Sequence, residues 1–191
     1  LHPERVTQEL LQLIIMAPSN SKQEAPSRLF VIAALLLLGT GMFWGVTGGL
    51  QYLIPGFLKS YLPFQKIRPL HVSSVVFWII FSSTGAVFTY LQQHTGKTIY
   101  SQLLIKIQLI IFSLSVITIL ISYCAGIFGG REYWEFHPIL ALPIVAGWIL
   151  FLINFIKSAG SFRNQPVYVW MWFTGILFFL FTFLESYLWI F

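Results

Sequence analysis

The sequence predicts an all-α integral membrane protein with five transmembrane helices, and three observations predict it. Hydrophobic residues fill 57% of the 191 positions and charged residues only 9%, a balance that a water-facing surface does not support. The apolar residues gather into five stretches, at about 29–54, 69–92, 103–128, 138–156 and 167–191, each long enough to span a bilayer. Strand-type alternation and internal repeats are absent, and the segments between the stretches are short and polar.

Residues 1–28 read as a separate polar lead, and 29–191 as the helical bundle. In the lead, VTQELLQLII has the spacing of a short amphipathic surface helix and APSNSKQEAPS that of a linker. Within the first span Gly41, Gly45 and Gly49 recur every fourth residue, a stripe that lets a neighbouring helix or a flat macrocycle approach closely. The second span holds Ser73, Ser74, Ser82, Ser83 and Thr84, whose hydroxyls return to the preceding turn and mark packing against protein. In the third, Lys106 lies one turn inside and snorkels to the interface. Cys124, the one cysteine, excludes an intrachain disulfide and reads as a small buried packing residue.

The net charge of +5 is not a nucleic-acid signature, because the cations are scattered over short loops. They set topology instead. Arg5, Lys22, Arg28, Lys97, Lys106, Lys157 and Arg163 share the N-terminal side, against Lys59, Lys66, Arg68 and Arg131 on the other, so a cytoplasmic N-terminus is expected.

The chemistry is expected at the opposite, outer side. His71 follows Arg68 and Pro69 at the mouth of the second span. An imidazole inside a membrane helix is costly unless something occupies its nitrogens, and iron is a natural occupant. Arg68, three residues earlier, shares its helical face, with Pro69 near the first-turn position that proline favours. An iron ligand with a guanidinium one turn outward matches a heme with its propionates. Glu132 and Glu135, spaced for one side of a helical turn, stand at the same mouth. They either flank a bridging calcium ion or belong to a polar loop paired with Arg131. His137 is read as interfacial, although a bis-histidine heme between His71 and His137 is geometrically open. His94 reads as part of a polar turn, and His2 carries no signal. Glu185 belongs either to a proton path or to the outer surface.

RPLH at the second span, GREYWEF between the third and fourth, and VYVWMWFTG opening the fifth resemble the N-terminal part of the catalytic subunit of the heme-copper oxidase superfamily. The nearest branches are bacterial nitric oxide reductases and C-family (cbb-type) cytochrome c oxidases. GREYWEF leans toward the reductase, and RPLH is more typical of the oxidase. The resemblance implies that His71 is an axial ligand of a low-spin heme b, that Arg68 meets its propionates, and that Glu132 and Glu135 lie near a structural calcium. It also implies a twelve-helix bundle of which these are the first five. The high-spin heme, the non-heme iron or copper and all catalytic residues then belong to later helices.

The expectation is therefore a piece of a respiratory oxidoreductase in a bacterial inner membrane, cut at both ends or split, and inert alone. Nitric oxide reduction to nitrous oxide is the leading activity, with oxygen reduction coupled to proton pumping as the alternative. The expected partners are the remaining helices of the same polypeptide, a membrane-anchored cytochrome c or quinol, and lipid. Two readings of other kinds stand beside it: a non-catalytic five-helix heme-carrying or assembly protein, and a transporter, for which broken helices and midplane charges are missing.

Overall fold

The computed structural model describes residues 25–188. It contains α1 (Ala25–Leu53), α2 (Phe64–Thr95), α3 (Gln102–Ala125), α4 (Ala141–Ala159) and α5 (Val167–Leu188), with single 3₁₀ turns at Pro138–Leu140 and Phe162–Asn164. These make five spans long and apolar enough to cross a bilayer. Among the described residues the one extended pairing is an isolated bridge between Arg131 and Trp134. The chain is an all-α, multi-pass membrane protein. We call the end that carries residues 126–137 the outer end, and the opposite end the inner end.

The surface helix expected at 6–15 and most of the expected linker lie outside the described residues, and 25–28, at the end of the lead, form the first turn of α1 rather than a linker. The larger correction concerns α2. It begins at Phe64, not at Pro69, so the proline sits inside the helix and His71 lies about two turns from its start. Pro63 is the extended residue that opens the helix, its carbonyl accepting from the Lys66 and Ile67 N–H groups at 2.8 and 3.2 Å. From α1, Gln51 Nε2 donates to Leu62 O at 2.7 Å, and Tyr52 meets the Phe64 ring at 5.3 Å. These contacts hold the added turn, and burial of Pro69 offsets the hydrogen bond it cannot donate.

At the other boundary corrected by local chemistry, α3 stops at Ala125 because Gly126 takes the left-handed conformation, φ +81°. Its N–H then closes onto Ser122 O and Tyr123 O. At the inner end the Ser101 hydroxyl caps α3 by accepting from Leu104 N–H at 3.3 Å. The buried Asn154 of α4 clamps the same residue, accepting from Ser101 N–H at 3.1 Å and donating to Ser101 O at 3.0 Å. In the core, Gly147 of α4 leaves room for the Phe112 ring, where a Cβ would collide.

The α1 and α2 helices pack most closely. A Cβ at Gly41 would lie 3.0 Å from the Val75 side chain, one at Gly45 3.0 Å from the His71 ring, and one at Gly48 3.2 Å from Ile67, whereas Gly49 meets nothing within 4 Å. The contacting stripe is thus 41, 45 and 48. At 100° per residue, two steps of four overshoot the face by about 80°, whereas four plus three returns to within about 20°. Cys124 also differs from expectation: it is exposed, because the inward face of α3 runs through Ser115, Ile119 and Tyr123 and the next residue is turned about 100° away.

Candidate functional site

His71 is half-buried on α2 against α1, and its Nδ1 lies 2.7 Å from Gly41 O. A carbonyl only accepts, so Nδ1 carries the proton, and Nε2 of the neutral ring keeps a lone pair. Metal-bound histidines are held in this way, with one ring nitrogen donating to a backbone carbonyl and the other facing the metal. Gly45, one turn beyond Gly41, supplies no side chain to screen that carbonyl, and the imidazole occupies the space a Cβ would fill.

One turn outward, Arg68 binds both glutamates. Its Nη1 donates to Glu132 Oε1 at 3.1 Å, and its Nη2 makes a short ion pair with Glu135 Oε1. Glu135 is the more enclosed, its side chain 16% exposed against 66% for Glu132. Arg131 takes no part in this bridge and lies 3.8 Å from Glu185, which stands at the outer end, exposed, rather than in the interior of the span.

The glutamates reach Arg68 through a tight hairpin, not the helical turn their spacing suggested. The Gly129 and Gly130 N–H groups both donate to Glu135 O, at 3.0 and 3.2 Å, and Trp134 N–H donates to Arg131 O at 3.0 Å. The turn closes only because residue 130 is glycine, since a Cβ there would collide with Trp134 O. Trp134 pins the hairpin to the bundle through edge contacts with Phe77 of α2 and Phe179 and Phe183 of α5 at 6.2, 6.0 and 5.1 Å. Tyr187 O–H donates to Trp134 O at 3.1 Å, and the buried Phe136 stacks on Tyr187 at 5.5 Å.

The other histidines have partners of another kind. His137 is exposed, and its Nδ1 accepts from Ile139 N–H at 3.4 Å, capping the turn before α4. His94, at the inner end of α2, has both nitrogens engaged, Nε2 with Gln165 Oε1 at 2.8 Å and Nδ1 with the Tyr168 hydroxyl at 2.7 Å. His2 lies outside the described residues. Among the described residues no three His, Cys, Asp or Glu side chains converge as a metal cage.

Sequence reasoning reached His71, Arg68, Glu132 and Glu135 but missed Gly41, whose carbonyl orients the imidazole, and Gly130 and Trp134, which aim the glutamates. The glycine stripe was the signal for the first. The density of glycine and aromatic residues in GGREYWEF was the signal for the others.

Taken together, these features define a multi-pass helical membrane protein that presents a metal-competent imidazole above a carboxylate-pairing arginine. The chain belongs to the family described as Cytochrome C and Quinol oxidase polypeptide I, whose sequence model matches residues 25–190. It is similar to a nitric oxide reductase subunit of Stutzerimonas stutzeri, 27% identical over 81% of this chain and 36% of that protein. Cytochrome c oxidase subunit 1 of Rhodobacter capsulatus is 26% identical over 69% of the chain and 27% of its own length. The Cbb3-type cytochrome c oxidase subunit CcoN1 of Stutzerimonas stutzeri is 27% identical over 69% and 30%. The chain therefore spans about a third of the length of these curated relatives.

Proposed function

We propose that this chain is the heme-carrying part of a membrane respiratory oxidoreductase, with His71 as an axial ligand of a low-spin heme b. The observation that carries the reading is the hydrogen bond from Nδ1 to Gly41 O, which leaves Nε2 as the ligating atom. When bound, a heme supplies a one-electron carrier between donor and catalytic centre. The chain's own residues do the rest. Gly41 holds the ring against rotation, Gly45 gives it room, and Arg68 offers guanidinium N–H groups to propionates at the outer end.

Glu132 and Glu135 fit a calcium ion on charge grounds. Arg68 with the two carboxylates sums to −1, and two propionates would bring the cluster to −3, a deficit that one divalent cation reduces to −1. The remaining ligands would be propionate, backbone or water oxygens, because no third acidic side chain converges there among the described residues.

The substrate we assign is nitric oxide, reduced to nitrous oxide with electrons from a membrane-anchored cytochrome c or quinol, in a bacterial inner membrane with the site toward the outside. The longer match to a nitric oxide reductase supports it, 81% of the chain against 69% for the oxidases. Oxygen reduction by a C-family oxidase is the second reading, supported by the oxidase relatives.

The test is His71→Ala in the assembled complex, compared with the parent by reduced-minus-oxidised spectra. The low-spin heme component is expected to vanish. A variant that assembles and keeps that component in full would remove the assignment. Metal analysis then separates the substrates, iron as the second metal indicating the reductase and copper the oxidase.

A further inference from the structure

The inner end carries a second polar site that the heme reading does not use. A cleft of about 400 Å³ opens there between the ends of α2 and α4, its walls including His94, Lys97, Lys157, Ser158 and Gln165. Two ammonium groups thus share one cleft. Lys157 Nζ has neutral neighbours, donating to the Tyr100 hydroxyl at 3.1 Å and lying 4.5 Å over that ring. All the described acids, Glu132, Glu135 and Glu185, stand at the outer end, whereas Lys97, Lys106, Lys157 and Arg163 stand at this one.

The cleft is built rather than incidental. Gln165 Nε2 donates to Ala159 O at 2.9 Å, which turns Gln165 Oε1 toward His94, so His94 Nε2 donates and the Tyr168 hydroxyl donates to Nδ1. The Ser158 hydroxyl donates to Asn154 O at 2.6 Å and accepts from Tyr100 N–H at 2.9 Å. The walls are therefore fixed by neutral groups, and the two lysines are left to act on whatever enters.

What enters is set by the surface below. On α3, Leu103, Ile107 and Ile110 continue inward from Tyr100, and on α4, Ile149 and Ile153 continue inward from Lys157, all of them exposed. They lie on the outward faces of both helices, turned about 140–180° from the buried Phe112 and Phe151. Two cations at the interface beside an apolar, outward-facing surface match a phosphate joined to acyl chains, and basic pockets between helices at this depth hold anionic lipid headgroups. We propose that this cleft binds an anionic phospholipid, its phosphate between Lys97 and Lys157 and its chains against the outward faces of α3 and α4.

The test uses native mass spectrometry of the purified, delipidated complex with phosphatidylglycerol or phosphatidylcholine added back. Phosphatidylglycerol is expected to be retained preferentially, with retention about thirtyfold weaker in the K97Q/K157Q double variant, the effect of two surface lysines on an anionic lipid. The K97R/K157R variant should retain the lipid, and R163Q, at the same end but outside the cleft lining, should match the parent. Equal retention in K97Q/K157Q, or equal loss in R163Q, would overturn the site. Displacement of the lipid by inorganic phosphate in excess would overturn the lipid assignment in favour of a free anion.

Discussion

His71 and His94 sit near opposite ends of the same helix, and their nitrogens tell different stories. At the outer end one nitrogen is held by a backbone carbonyl and the other is the atom proposed to meet a ligand. At the inner end both nitrogens are spent on Gln165 and Tyr168, so the ring ties the end of α2 to the start of α5. A histidine in a membrane helix is therefore not by itself a cofactor ligand. What decides is whether its partners leave a lone pair pointing at open space.

The largest effect expected from this contrast concerns activity. The resemblance implies that reduction of either gas needs a second metal, and a site for iron or copper takes neutral imidazoles. With His71 given to the proposed heme, His137 spent on a cap and His94 locked at the far end, the described residues cannot assemble such a centre. Residues 1–191 expressed alone and reconstituted with heme are expected to show no steady turnover of nitric oxide or oxygen with a chemical reductant. Turnover at enzymatic rates would break the division between the two ends.

Next in size is the hairpin. Trp134→Ala removes the ring that joins residues 129–137 to Phe77, Phe179 and Phe183, and a loss of about 3–5 kcal/mol is expected for truncating a packed aromatic. Denaturant unfolding in detergent measures it. Hydrogen exchange should rise in 129–137 while the amides of 94–101 keep their protection, and a change spread evenly over both ends would contradict the local role.

How much of this was legible in the sequence follows from the range of each interaction. The five spans were readable because apolar length is a local property, and the pairing of Arg68 with His71 survived the shift of the helix start because a spacing of three shares a face wherever the helix begins. The hairpin was not readable. Glu132 and Glu135 at a spacing of three suit a helical turn, and only the close approach of Gly130 to Trp134 O, with Tyr133 at φ +69°, makes a turn that reaches an arginine 64 and 67 residues away. The polar-turn reading of His94 stands, but its partners were out of local reach for the same reason, since they lie 71 and 74 residues on. The glycine stripe failed locally, through a spacing of four applied once too often.

A finer test of the outer end is Arg68→Gln, which leaves the enclosed Glu135 without its cation. A loss of about 1–3 kcal/mol is expected for stranding a partly buried charged group, again by denaturant unfolding. If Glu135→Gln in the same background restores the loss, the ion pair is its source. Gly45→Ala probes the imidazole itself, because the new methyl would stand 3.0 Å from Cε1 and Nδ1 of His71. The ring must yield by a few tenths of an ångström, and a shift of the low-spin heme band with the heme retained is expected. An unchanged spectrum would show that the close approach of α1 does not position the ligand.

The smallest effect is expected at His94. Replacing it with Gln shortens the reach toward Gln165 and Tyr168 and removes two hydrogen bonds between exposed groups, each worth about 1 kcal/mol or less where water can replace the lost partner. Stability should fall by about 1–2 kcal/mol, with the reduced low-spin spectrum unchanged, since the ring stands more than six helical turns from His71 on the same helix. A variant that lost heme absorption while keeping its fold would mean that the inner histidine contributes to the cofactor site. The contrast between the two ends of α2 would then fall.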